Sequence, residues 1–163
     1  MGLIGVYGGT FNPIHVGHLR AAEEVAEVLG LSRVLFVPSA TPPHKVEDQR
    51  DAIAPAADRL AWVRLAIADN PRFEASAIEV ERGGASYLVD TLRELRAKLA
   101  PGEPVFLVGS DAFAEMGAWR EPVSCFFVVP TVRLEQTLTV MRIWGNGENA
   151  WSGYSAFPRM RSR

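Results

Sequence analysis

"LIGVYGGTFNPIHVGHLRAAEEVAEVLG", Leu3 to Gly30, passes from a short apolar run through a turn into a helical repeat. The run LIGVY does not alternate with polar residues, as expected of a strand buried on both faces. Leu19, Ala22, Ala26 and Leu29 recur at helical spacing, and Gly30 follows as a C-terminal stop. Between the two elements come Gly8, Gly9 and Thr10, then Asn12-Pro13, then His15 and His18 on either side of Gly17. A strand followed by a glycine turn and a helix opens a unit in which the next strand runs parallel to the first.

The alternation continues down the chain. RVLFVP (Arg33 to Pro38), VFLVG (Val105 to Gly109) and CFFVVP (Cys125 to Pro130) read as further buried strands. Leu60, Val63 and Ile67 form a second helical stripe, closed by Asn70-Pro71. Ser86 is placed to cap a third helix, whose stripe Leu88, Leu92, Leu95 and Leu99 stops at Pro101-Gly102. The predicted fold class is α/β, a doubly wound Rossmann-like parallel sheet with right-handed crossovers. At 163 residues and 48% hydrophobic content the chain supports one core and is too short for two comfortable domains.

Such a sheet binds ligands beyond the carboxyl ends of its strands, where strand order reverses. The segments expected there are GGTFNPIHVGH, PSATPPHK and GSDAF, and they hold the unusual chemistry of the chain. Gly8 and Gly9, read as following the first strand, let the backbone approach a ligand or simply turn. They form neither a GxGxxG fingerprint nor a GxxxxGK[ST] loop, so the usual dehydrogenase and P-loop ATPase readings are not supported. His15 and His18 fall on one side of a helix start, beside N–H groups that attract anions. A single histidine there would read as a cap or a packing residue; two behind a Gly-Gly-Thr turn point to phosphate chemistry. Zinc is the poorer alternative, since no further Cys or His sits at ligand spacing, and no protein metal ligand is assigned. The proline-rich stretch Pro38 to Pro55 is either a functional loop at the ligand edge or a surface excursion.

A net charge of −2 provides no general attraction to nucleic acid or acidic membrane. No apolar stretch reaches membrane-spanning length, Cys125 has no partner for an intrachain disulfide, and the chain opens with no leader-like segment. A soluble cytoplasmic protein is the expectation.

GGTFNPIHVGH resembles the signature of the nucleotidyltransferase superfamily with the HxGH motif. PPHK (Pro42 to Lys45), ASYLVDTL (Ala85 to Leu92), VGSDAF (Val108 to Phe113) and Trp119 narrow the resemblance to the bacterial nicotinate-nucleotide adenylyltransferases, over the N-terminus to about Val129. A pantetheine-phosphate adenylyltransferase would be expected to carry threonine in place of His15. The resemblance implies an α/β fold of the nucleotidyltransferase type. It also implies transfer of AMP from ATP to nicotinate mononucleotide, with Mg²⁺ bound mainly through ATP phosphates. A sister enzyme with another phosphorylated acceptor, and a nucleotide-binding member without turnover, are the alternatives.

The same resemblance assigns residues. His15, His18 and Lys45 are the catalytic candidates. Gly8, Gly9, Thr10, Phe11, His15, His18, Gly109 and Asp111 are assigned to ATP, with His18 nearest the α-phosphate. His44, Lys45, Ser86, Tyr87, Thr91 and Trp119 are assigned to nicotinate mononucleotide. The first N–H groups of the third helix would seat the nicotinate carboxylate. Trp119 either stacks on the pyridine ring or packs on the core, and Asp111 either meets a ribose or caps a helix. Asn12 stands where many bacterial relatives carry Asp and is read as shaping the loop.

Residues 1–129 are expected to form the α/β domain, and 130–163 a divergent tail rather than an independent domain. VRLEQTLTVMRIW alternates like an amphipathic strand, and the rest of the tail shows no periodicity. The Ser/Thr-rich turn and phosphate-gripping arginine that the family carries further on are not found, and YSAFPR (Tyr154 to Arg159) is a poor substitute. A flank of the sheet left open there would favour a homo-oligomer.

Overall fold

A computed structural model describes residues 2–42, 52–109, 126–132 and 138–143, the last two stretches by their backbone course. The elements run β1 (Leu3–Gly9), α1 (Val16–Leu29), β2 (Arg33–Pro38), α2 (Ala56–Ala66), β3 (Phe73–Ala75), α3 (Ile78–Arg82), α4 (Leu88–Leu99), β4 (Glu103–Gly109), β5 (Phe126–Val132) and β6 (Leu138–Ile143). They build one sheet in the order β3-β2-β1-β4-β6-β5. β1 lies between β2 and β4 and is parallel to both, and β3 is parallel to β2. The chain winds outward from β1 through β2 to β3, then returns to the far side of β1 as β4. That reversal leaves a crevice at the carboxyl ends of β1 and β4.

β1, β2 and β4 are buried on both faces because each face carries its own helices. Val34 and Phe36 of β2 and Val105 and Leu107 of β4 join Tyr7 in a core with Ala22, Val25 and Ala26 of α1 and Val63 of α2. Leu35, Val37, Phe106 and Val108 alternate to the other side, where Val89, Leu92 and Leu95 of α4 and Ile78 of α3 meet them. This is why the sequence shows continuous apolar runs rather than alternation. α1 stops where expected: Gly30 is left-handed (φ 62°, ψ 39°), and its N–H reaches back to the carbonyls of Ala26 and Glu27.

Several expectations need correction. Gly8 and Gly9 are the last residues of β1, paired with Val37 and Pro38, rather than a turn after it. Gly109 likewise closes β4. α4 begins at Leu88 with Tyr87 in the N-cap position and no side-chain cap, so Ser86 does not cap it. β3 and α3 were not anticipated, because three- and five-residue elements are too short to show a period. β5 runs antiparallel to β6, and β6 antiparallel to β4, so this end of the sheet is not parallel. The boundary drawn at 129 falls inside β5, and the sheet takes in residues as far as Ile143.

Phe36 is fully buried among Phe73 (ring centroids 5.1 Å), Tyr7 (5.6 Å) and Phe11 (5.9 Å). Phe36→Ala should therefore cost about 3–5 kcal/mol of stability in chemical denaturation. A loss under about 1 kcal/mol would contradict this packing.

Candidate active site

The carboxyl end of β1 is too tight for a side chain unless the neighbouring rings give way. A Cβ on Gly8 would sit 3.1 Å from Cε2 of Phe106, and one on Gly9 would sit 3.1 Å from the Phe11 ring. Glycine here is a matter of close approach, and the space is filled by Phe11, whose ring is buried. Phe11 meets Tyr7 edge-on at 5.6 Å and His18 edge-on at 5.2 Å. Its own backbone is left-handed, with φ 48°, the single non-glycine residue so placed among the described residues. That conformation is costly and has to be held by its surroundings.

His15 is the extended N-cap residue of α1 (φ −143°, ψ 171°), and His18 lies one turn on. Their rings lie against each other with centroids 3.8 Å apart and planes inclined by 35°. The backbone N–H of His15 donates to Nδ1 of His18 at 3.2 Å. Burial, and after it the neighbouring His15, lowers the pKa of His18 from 6.5 to about 4. At neutral pH the His18 ring is therefore uncharged. Because its Nδ1 accepts a hydrogen bond, the proton resides on Nε2, which becomes a fixed donor beside the helix N-terminus. The first N–H groups of α1, from Val16 and Gly17, belong to the same anion-favouring end.

The turn between β1 and α1 is tied to the segment before α2. Asn12 donates from Nδ2 to the carbonyl of Ala52 (3.3 Å) and accepts from the N–H of Ala54 (3.0 Å). The loop-shaping role expected of Asn12 is what the geometry shows. An aspartate could accept from Ala54 but could not donate to Ala52.

Two stretches that the sequence separates meet past β2. Thr41 forms a parallel bridge with Ala85, the Ser86 N–H donates to the Thr41 carbonyl (3.0 Å), and the Ala40 N–H donates to Ser86 Oγ (2.8 Å). Thr91 is turned inward: its hydroxyl donates to the buried Glu79 at 2.5 Å and accepts from Arg82 at 2.8 Å. Burial raises the pKa of Glu79, and hydrogen bonds from Ser86 and Thr91, with the charges of Arg82 and Arg59, oppose the rise. The hydroxyls of Ser86 and Thr91 are thus engaged within the protein, and Tyr87 is half-buried at the head of α4.

Gly8, Gly9, Thr10, Phe11, His15 and His18 are therefore gathered at one sheet edge, with Gly109 at the end of the neighbouring strand. His44, Lys45, Asp111 and Trp119 lie outside the described residues. Sequence reasoning missed Arg59 and Glu79, both buried on the inner sides of their helices. A charged residue within an apolar helical arc was the available signal, since Arg59 recurs with Val63 at helical spacing.

In an NMR titration of the unliganded protein, His18 should keep Nδ1 unprotonated and titrate near pH 4. Folding stability should decline as pH falls from 6.5 toward 4, where the unfolded chain takes up a proton that the folded ring refuses. A His18 midpoint near 6.5 would remove the neutral-donor assignment.

Similarity to known proteins follows the same lines. The cytidylyltransferase-like family matches residues 6–151. A protein named "Probable nicotinate-nucleotide adenylyltransferase" from Citrifermentans bemidjiense is 46% identical over 133 residues, covering 82% of this chain and 60% of the relative. One of the same name from Thermus thermophilus is 49% identical over 118 residues, covering 72% and 61%. This chain thus spans about 60% of the length of these curated relatives. Among solved structures, Plasmodium falciparum nicotinic acid mononucleotide adenylyltransferase complexed with NaAD shares the fold, with a TM-score of 0.60 at 16% identity over 75% of this chain and 58% of that one. With its parallel strands wound to either side of β1 and its histidine pair at the head of α1, the chain belongs to the cytidylyltransferase-like family.

Proposed function

We propose that this chain transfers AMP from ATP to nicotinate mononucleotide, giving deamido-NAD and pyrophosphate. The observation that carries the reading is the close pair His15 and His18 at the N-terminus of α1, with Nε2 of His18 protonated beside the Thr10–Phe11 segment that leaves β1. The names of the bacterial relatives support the same acceptor.

The chemistry asks little of the protein in proton transfer. The mononucleotide phosphate is already an anion near neutral pH, so no general base is needed. One of its oxygens bonds to the α-phosphorus, the bond to the bridging oxygen breaks, and pyrophosphate leaves with that electron pair. The protein aligns two mutually repelling anions and donates hydrogen bonds where charge builds up. A neutral imidazole whose orientation is fixed by its other nitrogen meets that demand at His18. His15 and the first N–H groups of α1 hold the remaining phosphates.

Mg²⁺ carried on the ATP phosphates would neutralise part of their charge. Among the described residues no group of three or more His, Cys, Asp and Glu is arranged to hold a metal. The described donors are imidazoles and backbone N–H groups, which suits a cation held by the nucleotide and water. For the nicotinate carboxylate, the backbone at the head of α4 is the better seat, because the hydroxyls of Ser86 and Thr91 are already engaged. His44 and Lys45 are assigned to the mononucleotide phosphate, Asp111 to a ribose and Trp119 to the pyridine ring.

With ATP, Mg²⁺ and nicotinate mononucleotide, the chain should release pyrophosphate. Nicotinamide mononucleotide should support it far more slowly, and equal rates would sink the carboxylate seat. ATP binding without release would point to a nucleotide-binding protein without turnover, and release with phosphopantetheine alone to a sister transferase. His18→Ala should lower turnover about 10²–10³-fold, as for loss of one transition-state donor, with little change in melting temperature.

A further inference from the structure

Arg59 is the largest side chain buried to within 1% of full coverage, and it is a charged one. It lies on the inward side of α2, where an apolar residue would pack the helix without the desolvation penalty of a cation. Burial lowers its pKa and the charge of Glu79 raises it. Among the described residues no carboxylate pairs with it directly. Its partners are backbone carbonyls instead. Nε donates to Ala54 (2.8 Å), Nη1 to Thr10 (2.6 Å), and Nη2 to Ser39 (2.6 Å) and Ala40 (3.0 Å).

These carbonyls come from three separate segments: the turn after β1, the exit of β2 and the approach to α2. The planar guanidinium fork fixes their directions relative to one another, which a lysine, with a single ammonium and three donors, cannot do. The Thr10–Phe11 peptide is trans, so its N–H points opposite to its carbonyl. Drawing the Thr10 carbonyl toward Arg59 turns the Phe11 N–H away from α2. Phe11 is the residue held in the left-handed region, and its buried ring anchors it from the other side. The strained residue is thus gripped twice, by its ring and by the carbonyl that precedes it.

We infer that Arg59 is a positioning residue of the phosphate site. From behind the β1–α1 turn it sets the peptide that presents the Phe11 N–H to the ATP phosphates, and holds the Ser39–Ala40 segment in register with it. The inference rests on the transferase reading for its ligand, while the conformational part stands without it.

The test compares the parent chain with Arg59→Lys and Arg59→Ala. Three readouts are needed: the Phe11 amide and carbon shifts by NMR, the dissociation constant for Mg²⁺-ATP, and kcat and KM for pyrophosphate release. In the parent, Phe11 should show a left-handed shift pattern and its amide should move on adding Mg²⁺-ATP. Arg59→Lys should fold cooperatively, lose the left-handed pattern and bind Mg²⁺-ATP about tenfold more weakly, the equivalent of one good hydrogen bond. Added guanidinium ion should restore binding to Arg59→Ala but not to Arg59→Lys, whose side chain still occupies the cavity. If Arg59→Ala does not fold, the lysine variant and the Phe11 shifts decide. Retention of the left-handed pattern in Arg59→Lys, or affinity within about twofold of the parent, would overturn the inference. So would a loss confined to melting temperature, with KM and kcat unchanged below the transition. A parent that binds no Mg²⁺-ATP would sink the transferase reading and the phosphate role together, while loss of the Phe11 pattern in the variant would still uphold the conformational grip. Binding without pyrophosphate release would sink the transferase reading alone.

Discussion

The site depends on a steric constraint at the end of β1. Two successive residues without side chains allow Phe106 to press against one of them and Phe11 to fold over the other. Only with Phe11 in that place can His18 lean on its ring, and the helix start then falls at the mouth of the crevice between β1 and β4. The strand is held on both sides by parallel neighbours, so it cannot bend away to make space. A Cβ added at Gly9 would press on the Phe11 ring at 3.1 Å and require that buried ring to give way by a few tenths of an ångström.

Around that fixed point the protein uses polar contacts to order loops rather than to hold the core. Asn12 reaches from its loop, and Arg59 from α2, to the carbonyls or N–H groups of other segments, and Ser86 links the exit of β2 to the start of α4. Buried Glu79, hydrogen-bonded by Ser86 and Thr91, closes the far end of this set of contacts. Individually such hydrogen bonds contribute about 0.5–1.5 kcal/mol, and those to charged groups about 1.5–3 kcal/mol. Their greater effect is on conformation, because each removes a direction in which a loop could relax. If the site aligns two polyanions as proposed, it benefits from that stiffness.

Much of this was legible in the sequence, for identifiable reasons. The apolar runs and the stripes of α1 and α2 are long enough for their period to be read, and Gly30 ends α1 through the left-handed turn its position suggests. The histidine pair stood out because its spacing around Gly17 has a mechanism behind it. The resemblance assigns Ser86 and Thr91 to the mononucleotide through the N–H groups at the start of α4; that their hydroxyls are engaged by Ala40, Glu79 and Arg82 is a tertiary fact no local pattern reveals. Arg59 was passed over since a lone arginine on a helix normally faces water, and nothing local reveals that four carbonyls from three segments converge on it. The reversed strand β6 was unreadable as such, because alternation shows that a strand exists and not which way it runs.

The neutral state of His18 has a consequence for how the proposed nucleotide substrate would arrive. An uncharged ring offers the field of a dipole, which fades over a few ångströms, whereas a cation would be felt across about 8–10 Å of physiological buffer. On the proposed transferase reading, what His18 adds to recognition begins at contact and is almost indifferent to ionic strength. On that reading its contribution would select among anions that have already reached the crevice rather than draw them in from solution.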